Sequence, residues 1–361
     1  MEHYLDNSAT TKVSQGAAEK AFEIMTENYG NPSSLHLRGM YAEQELVKAR
    51  KEVAGRLGAT ADEIYFISGG TEANNLAVFG VAEAKKRRGR RIVVSAVEHS
   101  SIMESAKKLE DNGFDVVRIM PREDGTIHKE DVLENVDENT ILVSVMCVNN
   151  ETGAIMNISG IFSAVKAKNS DVICHTDAVQ AFISVSGHKI HAPKGVGAIF
   201  VKKGVRLVPL HYGGEQEKKL RPGTEAIPLI AAMGVACSEF NIDKNYDYVS
   251  KLNSYAKEKL LKIDGVVLNS PENALPYVLN ISAGKVRSET MLHFLENLEV
   301  YVSSGSACAK GKPSYVLESM NIGRDRADSA LRISFSKLNT EEDIDALCEG
   351  IEKGLKTLAH K

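Results

Sequence analysis

The chain has 361 residues, 43% of them apolar and 25% charged, with a formal net charge of −4. That length suits roughly two domains and a large buried core, and the negative balance excludes a general nucleic-acid surface, which rewards clustered positive charge. The start carries no basic and apolar leader, and no window offers the roughly 18 uncharged apolar residues of a membrane span, so a cytoplasmic protein without a membrane partner is expected.

Short β-branched runs alternate with stretches of helical period: Glu63–Ile67 before Glu72–Arg88, Arg91–Ala96 before Ser101–Asn112, then Val116–Ile119, Thr140–Val145 before Ile158–Lys168, and Val172–His175. The alternation predicts βαβ units and a mostly parallel sheet, with function at the carboxyl ends of its strands. The one basic cluster, Lys85 to Arg91, reads as a solvated helix end favoured by the macrodipole. After about residue 241, longer helical stretches (Tyr246–Leu261, Ser288–Leu298) are separated by strand-like runs (Val266–Asn269, Tyr277–Ile281, Leu331–Phe335), which predicts a second, α+β domain. No repeat or linker-like tract separates the two, so close packing is expected. The five cysteines (147, 174, 237, 308, 348) include no Cys-x-x-Cys, so neither a metal site nor a disulfide framework is expected.

The chemistry gathers at the predicted strand ends. Asp177 lies in the run His175 to Gln180, and Lys189 follows twelve positions later in Ser186-Gly187-His188-Lys189. A lysine can hold pyridoxal phosphate through the cofactor's aldehyde carbon, and an aspartate at the pyridine nitrogen keeps the ring protonated as an electron sink. Lys189 follows the apolar run Phe182–Val185, and poor solvation there favours a nucleophilic amine, the alternative being a snorkelling surface lysine. Ser68-Gly69-Gly70-Thr71 joins a strand to a helix and suits either a phosphate cradle or an ordinary capped turn. His99 can stack on an aromatic cofactor and shuttle a proton, or simply bond within its loop. Cys308 lies in a small-residue loop, Val302 to Pro313, where Lys310 and Lys312 favour the reactive thiolate, the alternative being an ordinary surface cysteine. Arg332 offers a fork to a substrate carboxylate or serves in a structural ion pair.

Taken together, Tyr4 to Thr11, Tyr29 to Ser34, Ser68 to Glu72, Glu98 to Ser101, His175 to Gln180, Ser186 to Lys189, Arg221 to Thr224 and Ser303 to Cys308 follow the order found in cysteine desulfurases. Over nearly its whole length the chain resembles the NifS/IscS-like group of the class V aminotransferases. The resemblance implies the type I fold of pyridoxal phosphate enzymes: a large domain, 13–240, around a mostly parallel seven-stranded sheet, and a small α+β domain from 1–12 and 241–361. It also implies that Lys189 carries the cofactor, Asp177 pairs with the ring nitrogen, Gln180 meets the ring hydroxyl, and His99 stacks on the ring and assists proton transfer. Thr71, Ser186 and His188 would hold the phosphate, with Gly70 giving a close backbone approach. Thr224 would reach the phosphate of a neighbouring subunit in a homodimer. Asn149 and Arg332, with Asn31 nearby, would bind the carboxylate of L-cysteine. Cys308 would take the substrate's sulfur as a persulfide and pass it to an acceptor protein, an iron–sulfur scaffold or a tRNA-thiolation protein.

The chain departs from that pattern in two places. Between Asp177 and Lys189 the group carries roughly a dozen more residues, and a parallel crossover needs about that many. Either part of the crossover is missing from the sequence as written or the chain has a true deletion; the intact flanking motifs favour the first. Glu215 stands where a glycine is usual. Two other readings follow from these features. A selenocysteine lyase or another class V aminotransferase would not need Cys308, and a non-catalytic scaffold would result if the short crossover had disabled the site.

Overall fold

The computed structural model describes residues 2–179, 186–305 and 314–358. Its strands in chain order are β1 (His3–Tyr4), β2 (Ile64–Ile67), β3 (Arg91–Ser95), β4 (Asp115–Ile119), β5 (Thr140–Ser144), β6 (Ile173–His175), β7 (Gly197–Phe200), β8 (Val266–Leu268), β9 (Val278–Ala283), β10 (Val300–Tyr301) and β11 (Ala330–Ser334). In the order β4-β3-β5-β6 they form a wholly parallel sheet, and β2 pairs antiparallel with β7. Strands covered on both faces should be apolar throughout; β5 is buried at every residue and β3 at all but the first, which is why both read as unbroken β-branched runs. Helices Gly70–Lys85, Ser100–Asp111 and Ile158–Lys168 follow β2, β3 and β5. This is the α/β architecture predicted from the alternation. The stretch 180–185, where the sequence resemblance places a further strand, lies outside the described residues; Ser186 beyond it makes a lone antiparallel bridge to Gly197 of β7.

Helices Gln15–Thr26, Leu37–Arg56 and Ile227–Glu239 enclose a core rich in alanine, including Ala17, Ala21, Ala49, Ala231 and Ala232. Small residues let these helices approach closely: a Cβ on Gly234 would come within 2.8 Å of the Ala49 Cα. The last third has its own core, built on the antiparallel sheet β11-β9-β8 and helices Ile242–Leu260, Ser288–Glu296 and Glu341–Thr357. The N-terminus belongs to that core. Leu5 is fully buried in it, β1 pairs parallel with β10, and the Ser334 N–H donates to the Leu5 carbonyl at 2.7 Å. From there the chain crosses to the other unit, where the Thr11 N–H donates to the His188 carbonyl at 2.8 Å. A third core joins Val93, Val143 and Ile161 to Val316, Leu317 and Met320. Among the described residues no helix is long and apolar enough to cross a membrane.

Candidate active site

A cavity of about 230 Å³ opens at the carboxyl ends of the parallel strands, where function is expected in open α/β sheets. His99 comes from the end of β3, Met146 and Asn150 from the loop after β5, and Asp177 from the end of β6. Gly70 and Thr71 bring the start of a helix, Ser8 and Ala9 close one side, and Arg332 of β11 closes another. Lys189 also lines it, so the two residues flanking the short crossover meet in one space.

Lys189 ends a single 3₁₀ turn, Gly187–Lys189, that the N-terminal segment holds in place. Its Nζ donates to the Ser8 carbonyl and, at 3.1 Å, to the Ala9 carbonyl. Thr11 Oγ1 donates to the His188 carbonyl at 2.9 Å and accepts the His191 N–H at 2.9 Å. Asp177, 6% exposed, accepts the Val179 N–H on Oδ1 at 2.9 Å and Asn74 Nδ2 on Oδ2 at 2.7 Å. A buried carboxylate with charge-assisted partners is held in one orientation.

The residues fit an anionic group on an aromatic cofactor. Helix Gly70–Lys85 has no side-chain cap, so its first N–H groups and the positive end of its dipole face the cavity. His188 Nδ1 is buried without a partner there, and burial, then Lys189 and Lys194, push its pKa down to about 4, so the ring is neutral. A Cβ on Gly70 would come 3.1 Å from Val179 Cγ2, so a side chain there would crowd Val179.

His99 has its pKa lowered, chiefly by burial; Asp177 opposes the shift and Lys189 adds to it. Next to it, Glu98 is buried, with Oε1 accepting from Ser95 Oγ at 2.7 Å and the Met146 N–H at 2.6 Å, and with Oε2 unpartnered. Burial above all, with the nearby Asp177 charge, pushes Glu98 up to about 8. Behind the sheet end, burial pushes His175 down to about 4, and its Nδ1 lies 2.9 Å from Ser144 Oγ.

Eight predicted site residues line the cavity: Gly70, Thr71, His99, Asp177, Ser186, His188, Lys189 and Arg332. Three stand elsewhere. Asn149 is fully buried in its own turn, its Oδ1 accepting the Glu151 and Thr152 N–H groups at 2.9 and 3.0 Å, while its neighbour Asn150 lines the cavity. Asn31 is exposed, its Oδ1 accepting the Ser33 N–H at 2.9 Å, and Thr224 is exposed in the turn before Ile227–Glu239. Cys308 and Gln180 lie outside the described residues. Both edges of the Cys308 loop meet Glu151: the Ser314 hydroxyl donates to its Oε2, and a Cβ on Gly305 would lie 3.3 Å from that same oxygen.

Several contributors carried no readable signal of their own. Asn74, Ser101 and Asp6 are short polar residues whose partners are distant in sequence. Glu98 adjoins His99, yet only burial distinguishes it from a surface acid.

The sequence model of the family described as "Aminotransferase class-V" matches residues 3–347, and the chain belongs to that family. A curated relative from Methanosarcina thermophila named "Cysteine desulfurase IscS" is 36% identical over 374 residues, covering 98% of this chain and 92% of its own. That alignment is longer than the 361 residues of this chain, so the relative has positions without a counterpart here. A solved structure titled "NIFS-LIKE PROTEIN" superimposes with a TM-score of 0.92 at 36% identity, covering 99% of this chain and 100% of that one. Another, titled "SspA in complex with cysteine", gives 0.81 at 31% identity, covering 94% of this chain and 100% of that one.

Proposed function

We propose that this chain is a pyridoxal 5′-phosphate-dependent cysteine desulfurase working as a homodimer. The observation that carries the reading is the meeting of the Lys189 amine, the Asp177 carboxylate and the His99 imidazole in one cavity at an uncapped helix start. The NifS-like and IscS relatives, and a solved relative holding cysteine, support the activity and the substrate.

When bound, the cofactor supplies a sink for negative charge developing on the substrate's α-carbon. Lys189 would hold it, and its amine is the group that would take the proton from that carbon and give it back. Asp177 would keep the proton at the ring nitrogen, Gln180 would meet the ring hydroxyl, and His99 would stack on the ring. Thr71, Ser186, His188 and the Gly70 amide would hold the phosphate. Arg332, which lines the cavity, would take the substrate carboxylate, while Asn149 and Asn31 stand outside the cavity lining. The Cys308 thiolate would attack the substrate's sulfur; the new S–S bond forms as the C–S bond breaks, its electron pair passes to the β-carbon, which gains a proton, and the proton taken from the α-carbon is returned there, giving alanine. One thiol becomes a persulfide and cysteine becomes alanine, so no outside oxidant is needed.

The homodimer is supported by exposed apolar residues around helix Gln15–Thr26 and the start of Leu37–Arg56: Phe22, Met25, Tyr29, Leu35, Leu37 and Tyr41. A cluster of that kind marks an association surface. Across such an interface Thr224 would serve the partner's phosphate site. The persulfide would pass to a sulfur-acceptor protein, an iron–sulfur scaffold or a tRNA-thiolation protein. Free thiols at Cys147, Cys174, Cys237 and Cys348 support a reducing, cytoplasmic setting.

The test is intact and peptide mass measurement after addition of L-cysteine. A single added sulfur at Cys308, lost together with sulfide release in Cys308→Ala, is the expected result. Unchanged sulfide release by that variant would defeat the persulfide route and favour an enzyme that does not need Cys308.

A further inference from the structure

His99 is held by a chain of hydrogen bonds whose direction can be read. Asn74, on the second turn of helix Gly70–Lys85 and 2% exposed, donates from Nδ2 to Asp177 Oδ2 at 2.7 Å and to Ser101 Oγ at 2.9 Å. A carboxylate only accepts, so the amide must present its nitrogen to Asp177, and both N–H groups of that nitrogen are then committed. Ser101 Oγ therefore accepts from Asn74 and has its own proton to place. That oxygen lies 2.8 Å from His99 Nδ1. The same Nδ1 receives the Ser101 backbone N–H at 3.2 Å, because His99 is the N-cap of helix Ser100–Asp111. The backbone N–H is a fixed donor that a proton on Nδ1 would face, and with Nδ1 accepting, the rotatable Ser101 hydroxyl has an acceptor for its own proton. The ring must carry its proton on Nε2, at its far end.

We infer that Asn74 and Ser101 are positioning residues that lock His99 as the neutral Nε2–H tautomer, so that the resting imidazole presents the cavity with a proton donor rather than a base. The inference rests on the hydrogen bonds around His99 and stands apart from the identity of the substrate. The groups facing His99 agree with a neutral ring. Burial and the Lys189 charge disfavour the imidazolium, and Asp177, which favours it, is already engaged by Asn74 and the Val179 N–H. A single amide therefore sets both the carboxylate proposed to meet the cofactor's ring nitrogen and, through Ser101, the imidazole proposed to lie on its face.

The tautomer is observable without turnover. Imidazole nitrogen NMR on full-length protein labelled at histidine, with cofactor bound and after its removal, distinguishes the two neutral tautomers and the imidazolium, and the His99 signal is the one lost in His99→Gln. At pH 7 the wild-type signal should be the Nε2–H pattern in both forms. In Ser101→Ala one donor to Nδ1 is gone, so protonation there becomes easier and the His99 titration midpoint should rise by about one pH unit. Ser101→Thr, which keeps the hydroxyl, should restore the wild-type midpoint. An Nδ1–H or imidazolium pattern in the wild-type protein at pH 7 would overturn the inference, as would a Ser101→Ala midpoint equal to the wild-type value. The wild-type measurement decides the tautomer even if a variant fails to fold.

Discussion

Arg332 Nη2 donates to Asp6 Oδ1 at 2.8 Å, joining the sheet of the last third to the chain's first residues across 326 positions. The arginine is 2% exposed, lines the cavity, and has a buried Nε without a partner. It is the ion pair that sequence reasoning held open as one alternative, and the same residue lines the cavity where a substrate carboxylate would sit. A hydrogen bond to a charged group contributes about 1.5–3 kcal/mol, or roughly ten- to a hundredfold in binding. Arg332→Ala should therefore raise KM for L-cysteine by about that factor with a smaller effect on kcat. Arg332→Lys should recover only part of it, since an ammonium lacks the planar fork. Steady-state alanine formation measures both constants, and an unchanged KM would remove Arg332 from carboxylate binding.

Glu98 makes a prediction about stability and pH. Burial pushes its folded-state pKa up to about 8, above its ordinary 4.5. For a group raised on folding, the stabilising contribution is complete below the unfolded value and is lost as pH climbs through the folded one. Relative to Glu98→Gln, whose amide oxygen can accept the same Ser95 and Met146 bonds, the wild-type protein should lose stability progressively between about pH 4.5 and about 8. Thermal unfolding of the two proteins across that range is the check. A difference in Tm that does not change with pH would show that Glu98 is not held protonated.

Buried Glu217 and half-buried Arg50 form a two-pronged pair, with Nη to Oε distances of 2.6 and 2.8 Å, and Glu217 also accepts the Phe66 N–H at 2.8 Å. The guanidinium lies 4.9 Å over the Phe66 ring. Glu217, Lys218 and Lys219 have φ of 45°, 55° and 67°, a left-handed run that non-glycine residues rarely adopt. The pair pins that turn, which leads into Arg221 to Thr224. Removing one member of a buried pair costs about 3–5 kcal/mol because the other charge is left unpaired. Arg50→Ala should lose that much in chemical denaturation; a loss near zero would show that the pair does not hold the turn.

How much of this was legible in the sequence depended on where the signal lay. Strands β3 and β5 were readable because burial on both faces makes them unbroken β-branched runs. Helix Leu37–Arg56 was not, since its buried face is largely glycine and alanine, namely Gly39, Ala42, Ala49 and Ala54, and small residues give a faint stripe. Helix Ile227–Glu239 is apolar nearly all round, so it has no stripe at all. At the site, Asp177, Lys189 and His99 were recognisable from their motifs. Asn74 was not, because its meaning lies in two hydrogen bonds to segments 27 and 103 positions away.

The central claim is that Lys189 is the residue that holds the cofactor. Reduction of the purified protein with borohydride would fix any pyridoxal phosphate to the lysine that carries it, and peptide mass spectrometry would locate the adduct. The account predicts one phosphopyridoxyl group per chain, on Lys189. An adduct on another lysine, or none in protein saturated with the cofactor, would contradict it.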